Sequence, residues 1–123
     1  MSYQPKFYKP VFLQDAVTTS LNEHVSCYGT VLTIRYPNAN NKPVVFTIDD
    51  GTCSIPAVFF DAKQMMVHNV DIGDDVIVYG YAQMYREEIQ LKCDRVKFVQ
   101  DPDSQALWIN QVLICKKRSN NKT

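Results

Sequence analysis

The stretch that most constrains the fold is residues 44–60, which read VVFTIDDGTCSIPAVFF. Two runs rich in β-branched and aromatic residues flank the segment Asp49–Thr52, where acidic residues tolerate turn geometry and glycine permits a positive φ. Alternate residues of each run share a face, with Phe46 on one face of the first run and Val45 on the other. The pattern predicts a hairpin of two strands, residues 44–48 and 53–60. What the protein does then depends on which face of this hairpin stays uncovered.

Three further strands are predicted. Residues 25–36 carry apolar side chains on both faces, which favours a strand that bends and belongs to two sheets, with Gly29 at the bend. Residues 76–85 and 88–99 flank the polar pair Arg86-Glu87, a tight turn between two strands. The polar cluster at residues 37–42 predicts a loop.

Two helices are predicted beside these strands. Asp61 is an N-cap candidate ahead of helix-forming residues, so residues 61–69 predict a short helix that plugs one end of a barrel. A second cap cluster precedes apolar residues that spread around much of a helix over residues 101–118. Residues 1–10 indicate an extended arm with aromatic side chains, and residues 11–22 an irregular segment.

Five strands, a short helix between the third and fourth and a helix at the end describe an OB-fold, a small partly open barrel. An SH3-like barrel is the alternative, and the position of the short helix favours the OB-fold. We therefore expect an all-β domain with a flanking helix: an arm at residues 1–19, the barrel at 20–100, a C-terminal helix at 101–118 and a tail at 119–123. At 123 residues the chain is long enough for one domain and too short for two.

Composition restricts the function classes. Lys plus Arg and Asp plus Glu number 13 each, so any affinity for nucleic acid must come from local clustering. No apolar run approaches the ~20 residues of a membrane helix, and the N-terminus lacks the apolar core of a secretion signal. The 4 cysteines are widely separated with no CxxC pair, which favours reduced cysteines over a disulfide framework or a zinc site.

Four motifs, in order along the chain, resemble those of a known family. Residues 25–31, VSCYGTV, resemble the first strand of the OB-fold in the middle (Stn-type) subunit of the CST telomere complex. The turn at Asp49–Thr52 resembles that family's hairpin turn, and residues 80–88, GYAQMYREE, resemble its turn between the fourth and fifth strands. Residues 101–108, from Asp-Pro to Trp, are similar to the start of its terminal helix. Insect telomere-capping relatives and, more distantly, the middle subunit of replication protein A share this plan.

The resemblance implies binding of single-stranded DNA, which OB-folds achieve by stacking bases on aromatic side chains and contacting phosphates with cations. It places Tyr85 and Phe60 at DNA-contacting positions, although the family usually has tryptophan at the latter and glycine where this chain has Cys53. Parity groups Tyr85 with Tyr81, opposite the small residues of the same strand. The residues implied in nucleic-acid binding are Tyr85, Phe60, Tyr81, Arg86, Arg35, Lys42 and Lys92, with Arg95 as a further cation. The alternatives are tyrosines that pack within the protein and charges that are solvated or paired with acidic neighbours.

In the resembled families the terminal helix pairs with its counterpart on a second, smaller OB-fold subunit. The stripe formed by Trp108, Val112 and Cys115, together with Leu107, is the predicted contact with that partner. The alternative is that this helix folds back on its own barrel.

Nothing in the sequence favours catalysis. The two histidines, His24 and His68, lie in no metal-ligand or catalytic spacing, and no glycine-rich phosphate loop occurs. We therefore expect no cofactor, no metal and no enzymatic activity. The hypothesis is a non-catalytic subunit of a telomere-capping, single-stranded-DNA-binding complex in the nucleus, at telomeres. The alternatives are a protein-interaction scaffold without nucleic-acid binding and a subunit of a replication protein A-like complex.

Overall fold

The computed structural model describes residues 7–18, 20–36, 43–60, 69–101 and 103–120. The elements, in chain order, are β1 (Lys9–Pro10), α1 (Leu13–Thr18), β2 (His24–Arg35), β3 (Val44–Asp49), β4 (Ser54–Phe59), β5 (Asp75–Tyr85), β6 (Glu88–Phe98) and α2 (Ser104–Asn120). Each predicted strand agrees with its observed bounds to within one residue. The loop predicted at residues 37–42 and residues 61–68 of the predicted short helix lie outside the described residues.

Strand β2 is shared between two parts of the sheet, as its two apolar faces predict. Residues His24 to Thr30 pair with β5, and residues Thr30 to Arg35 pair with β3. The register irregularity lies between Val31 and Thr33, slightly beyond the predicted bend at Gly29. Glycine at that position allows a close approach, because an added Cβ would lie 3.1 Å from the Ile48 Cβ. The bent strand thus takes part in both walls of a barrel.

The five strands β2 to β6 close on themselves. The strand order is β1-β2-β3-β4-β6-β5, and the further pairing of β2 with β5 completes the ring. The β3–β4 and β5–β6 hairpins are joined by a short parallel pairing, in which Ala57, Val58 and Phe59 face Leu91, Lys92 and Cys93. This closed five-stranded barrel with a C-terminal helix confirms the predicted OB-fold.

The barrel interior is filled by the inward-facing residue of each alternating pair. Phe46 and Phe59, on paired strands, are fully buried and their ring centroids lie 5.1 Å apart. Cys27 and Cys93 belong to the same core. Burial raises the pKa of both thiols, so these cysteines are protonated and act as small apolar side chains.

The segment that the sequence indicated as irregular contains the short helix α1, and that interpretation was wrong. Leu13 and Ala16 are fully buried in the barrel core. The first backbone amides of α1 find acceptors in the β3–β4 turn: Leu13 N donates to Asp50 Oδ2 at 2.8 Å, and Gln14 N donates to Thr52 Oγ1 at 3.2 Å. Because these acceptors are distant in sequence, no local capping pattern could predict the helix.

Helix α2 corrects a second prediction. Trp108 is 8% exposed and Val112 is fully buried, and both pack against Tyr28 on the outer surface of the chain's own barrel. Burial and a hydrogen bond to Asp75 raise the pKa of Tyr28 to about 12, so its hydroxyl is protonated in this seat. The interpretation of Trp108 and Val112 as partner contacts is therefore wrong for this structure, since the barrel already covers them.

Other apolar side chains of α2 are not covered by the barrel. Leu107, which the sequence placed in the partner contact, is 62% exposed, and Cys115 is half-buried. Leu113 and Ile114 are more than half exposed. None of the helices in the described part of the chain has the length and apolarity to cross a membrane.

The cap that Asp50 provides gives a stability prediction. Asp50→Ala removes the acceptor of the Leu13 amide and of two Thr52 groups, and we expect a loss of about 1–2 kcal/mol in the free energy of unfolding. The measurement is urea denaturation followed by circular dichroism. Asp71→Ala is the control, because it removes the same charge from an exposed turn where the described side chain accepts no hydrogen bond. Equal stability of the two variants would contradict the capping role.

Candidate nucleic-acid interface

A groove of about 570 Å³ runs across the outer face of β3 and β4. Val45 and Val58, which pair with each other across these strands, form its apolar floor together with Pro43 and Pro56. The end of β2 forms one side and the β5–β6 hairpin forms the other. The hairpin of residues 44–60 thus buries one face in the core and lines the groove with the other.

Four of the predicted nucleic-acid-binding residues line this groove: Arg35, Phe60, Tyr85 and Arg86. The two aromatic side chains are accessible, with Phe60 55% exposed and Tyr85 51% exposed. In β5 the residues with the parity of Tyr85 lie on the outer face, whereas Gly80 and Ala82 are buried. The groove therefore combines ring faces and positive charges, as base stacking with phosphate contact requires.

The β5–β6 turn holds its residues in an unusual backbone conformation. Arg86 has φ 50° and Glu87 has φ 67°, so two residues with side chains occupy the left-handed region in a two-residue hairpin loop. Such loops favour Asn-Gly, because glycine has no Cβ and asparagine tolerates the left-handed region better than most other residues with a side chain. The turn places the Arg86 guanidinium carbon 5.2 Å from the centre of the Tyr85 ring.

The arginines of the groove have no acidic partner among the residues that the structure describes. Within the described residues, neither Arg35 nor Arg86 forms an ion pair, and the same holds for Lys92 and Arg95. The pairing with acidic neighbours that the sequence left open is therefore not seen for these four cations. Glu88 is the acidic residue that lines the groove.

The other predicted residues lie at the edge of the groove or beyond it. The Lys92 ammonium is 5.5 Å from the ring centre of Phe60 and 6.0 Å from that of Tyr81. Tyr81 itself does not line the groove, and Arg95 lies over Tyr79, with 4.1 Å between the guanidinium carbon and the ring centre. Lys42 lies outside the described residues.

Sequence reasoning did not identify the apolar floor, Gln90 or Glu88 as parts of a site. A signal was present in the hairpin, because Val45 and Val58 have the parity opposite to the core residues Phe46 and Phe59. Apolar side chains on the outer face of a strand mark a surface that something covers. Without the fold, the pattern does not say whether a helix, a loop or a ligand covers it.

Among the residues that the structure describes, no group of three or more His, Cys, Asp and Glu side chains is arranged to hold a metal ion.

Comparison with known proteins identifies the family. A family described as OB-fold nucleic acid binding domain matches residues 25–99. The chain belongs to this family. The matched residues of this OB-fold domain contain both hairpins and all of the groove residues. No curated protein matches the chain significantly.

Solved structures with this fold include subunits of two assemblies. One chain of the S. pombe Stn1-Ten1 complex matches with a TM-score of 0.77 and 17% identity, covering 92% of this chain and 93% of that one. One chain of a replication protein A heterotrimer bound to single-stranded DNA matches with a TM-score of 0.76 and 12% identity, covering 92% and 98%. These likenesses confirm the OB-fold that the resemblance stated from the sequence implied.

The fold also occurs as part of a larger enzyme. Asparaginyl-tRNA synthetase from Pyrococcus horikoshii matches with a TM-score of 0.58 and 17% identity, over 76% of this chain but 24% of the synthetase. At these identities the likenesses establish the OB-fold and leave the function to be argued from the site.

The strained turn yields a prediction about stability. Glu87→Gly relieves the positive φ without touching a groove residue, and we expect it to raise the free energy of unfolding by about 1 kcal/mol. Gln100→Gly, at an exposed position without a positive φ, is the matched control and should lower stability slightly. Urea denaturation measures both, and a decrease for both variants would mean that the turn stores no strain.

Proposed function

We propose that this OB-fold domain is a single-stranded nucleic-acid-binding subunit of a telomere or replication complex, acting by binding and without catalysis. The observation that carries the proposal is the groove over β3 and β4, which has two exposed aromatic rings and two arginines that form no ion pair with any residue the structure describes. OB-folds bind oligonucleotides and oligosaccharides on the corresponding face, between the loops that flank it.

In the proposed mode, bases stack on Tyr85 and Phe60 while Arg35 and Arg86 contact phosphates. Stacking on an aromatic side chain contributes roughly 1–3 kcal/mol per base and tolerates different sequences, because every base has a π-face. The apolar floor excludes water beneath the bases without providing hydrogen-bond partners that would select among them. The groove thus suits a single strand whose bases are unpaired.

The balance of charge sets the expected strength of binding. With 13 basic and 13 acidic residues, the chain has no overall attraction to a polyanion, so affinity rests on the few cations of the groove. We expect weak binding by the isolated subunit. A partner that extends the groove would supply further contacts, as in linked binding modules.

The exposed side of α2 is the proposed place for such a partner. Trp108 and Val112 fix the helix to the barrel, which leaves Leu107 and Ile114, 62% and 54% exposed, seven residues apart on one flank. Two turns of a helix with apolar residues at this spacing suit contact with another helix. We propose that this flank pairs with a helix of a second, smaller OB-fold protein.

The biological setting is inferred from the structural likenesses. The proteins with similar folds include the Stn1-Ten1 complex, an assembly of two proteins, and replication protein A, a heterotrimer bound to single-stranded DNA. Both support the proposal of a heteromeric complex that acts on single strands. A nuclear, telomeric location is proposed on the same basis.

The test of nucleic-acid binding is a salt-dependent affinity measurement with a single-stranded oligonucleotide. Tyr85→Ala should weaken binding by roughly fivefold or more, because it removes one stacking surface, whereas Tyr85→Phe should retain affinity. Ile72→Ala, which truncates another exposed side chain in the turn before β5, is the control. If neither the isolated chain nor its complex with a partner binds the oligonucleotide, the groove serves a protein instead.

The test of assembly compares two charge insertions in α2. Leu107→Glu combined with Ile114→Glu should abolish recovery of a small OB-fold partner in affinity purification followed by mass spectrometry. Gln105→Glu introduces one negative charge at an exposed position two residues before Leu107, on the opposite side of the helix, and should leave recovery unchanged. Circular dichroism should show that both variants retain the fold, because none of the substituted residues is buried. Recovery of the partner with the double variant would exclude this flank as the contact.

A further inference from the structure

The groove continues into a row of residues that surrounds much of the barrel. Cross-strand pairs place six positions side by side on the outer surface, each on the next strand: Arg35, Val45, Val58, Lys92, Tyr81 and His24. The first three belong to the groove or its rim. Lys92 connects them to the last two, because its ammonium lies near the rings of both Phe60 and Tyr81.

Beyond Lys92 lies an aromatic cluster, which we call the tyrosine face: Tyr8, His24, Tyr79 and Tyr81. Neighbouring rings meet edge to face, with centroids 5.4 Å apart for Tyr8 and Tyr79, 5.5 Å for Tyr8 and His24, and 5.8 Å for His24 and Tyr81. His24 is exposed and the three tyrosines are partly exposed. Edge-to-face contacts of this kind are favourable, so each ring supports the position of its neighbour in the cluster.

Two cations accompany these rings. Arg95 lies over Tyr79 at 4.1 Å and Lys92 lies near Tyr81 at 6.0 Å, and neither forms an ion pair within the described part of the chain. A guanidinium can stack on a base and donate hydrogen bonds to a phosphate, so an arginine beside an aromatic ring suits contact with a nucleotide.

The acidic residues on this side have partners of their own. Asp94 Oδ2 accepts a hydrogen bond from the Tyr8 hydroxyl at 2.6 Å. Glu23 lies 3.1 Å from the Lys9 ammonium, measured between Oε2 and Nζ. Neither carboxylate is paired with the two cations over the rings, so both cations remain available to contact a ligand.

We propose that the tyrosine face, with Lys92 and Arg95, is a second nucleic-acid contact surface that extends the path of a single strand beyond the groove. The inference rests on the proposed function of the groove and adds where the strand continues. Lys92 holds a phosphate at the junction, and bases stack on Tyr81 and on the Arg95–Tyr79 pair.

The dimensions agree with this path. From Lys92 on β6 to His24 on β2 there are two strand spacings of ~4.8 Å, roughly 10 Å in all. A few nucleotides of a single strand span that distance, with their bases separated from one another so that each can stack on a ring. A duplex does not fit this mode, because its bases are paired and stacked on one another and present no free faces to the rings.

The experiment uses the whole chain and two fluorescent oligothymidines, one of about 4 nucleotides and one of about 16 nucleotides, in anisotropy titrations. The short probe fits within the groove, and the long probe reaches the tyrosine face. For Tyr79→Ala combined with Tyr81→Ala, we expect roughly fivefold or greater loss of affinity for the long probe and little change for the short one. Tyr79→Phe with Tyr81→Phe should restore the affinity, since stacking needs the ring and not the hydroxyl.

A second variant tests the surface without altering its rings. A plot of log affinity against log salt concentration has a negative slope. Arg95→Ala should make that slope shallower by about 0.7 for the long probe, the value for one lost phosphate contact on a single strand. Lys97→Ala removes the same charge from an exposed position two residues further along β6 and should leave the slope unchanged.

The outcomes separate this inference from the proposed function. If Tyr85→Ala weakens both probes while the alanine pair at positions 79 and 81 matches the wild type on both, the tyrosine face is overturned and the groove stands. Loss on the long probe in the alanine pair without any effect of Tyr85→Ala supports the face and overturns the groove. Failure of the wild type to bind either probe overturns both.

Discussion

The short parallel pairing of β4 with β6 is the contact on which the rest of the structure depends. It joins two hairpins that are each locally connected, and it does so between residues more than thirty positions apart, as in the pair Ala57 and Leu91. Such non-local contacts carry the loop-closure cost of the fold. Gly80 permits the tight β5–β6 pairing next to it, since a Cβ there would lie 2.1 Å from the Lys92 carbonyl oxygen. The same register places Lys92 beside Val58, so closure of the barrel also aligns the groove with the tyrosine face.

How far the sequence predicts this fold depends on whether the deciding information is local. Runs of β-branched and aromatic residues bounded by polar turns located all five barrel strands, because these local signals do not depend on distant residues. The helix α1 was missed since its caps come from Asp50 and Thr52, which no local pattern connects to it. The surface that α2 contacts through Trp108 and Val112 was misassigned for a related reason. Its apolar residues surround much of the helix, and only the barrel shows that Tyr28, paired with Ile77 on the outer surface, receives Trp108.

The candidate site was predictable in its chemistry and less so in its extent. The family resemblance and strand parity led to Tyr85 and Phe60, and both line the groove with Arg35 and Arg86. The apolar floor escaped notice because an outward-facing valine such as Val58 resembles a core residue in a sequence. Whether a cation is paired is a property of tertiary geometry. For this reason the sequence alone left the alternative of neutralised charges open.

The zero net charge of the chain is a poor guide to its binding surface, because its acidic and basic side chains have different roles. Several acidic side chains stabilise the fold. Asp50 accepts a hydrogen bond from a backbone amide of α1, and Asp75 accepts one from a threonine hydroxyl. Asp49 accepts hydrogen bonds from Ser54 and from the Gly51 amide, which lower the pKa of its carboxyl group and keep it ionised within the turn. The arginines of the groove have no comparable structural task. A chain with no net charge therefore presents, among its described residues, cations without ion pairs on one side of the barrel, and local geometry matters more than total charge for the proposed binding of a polyanion.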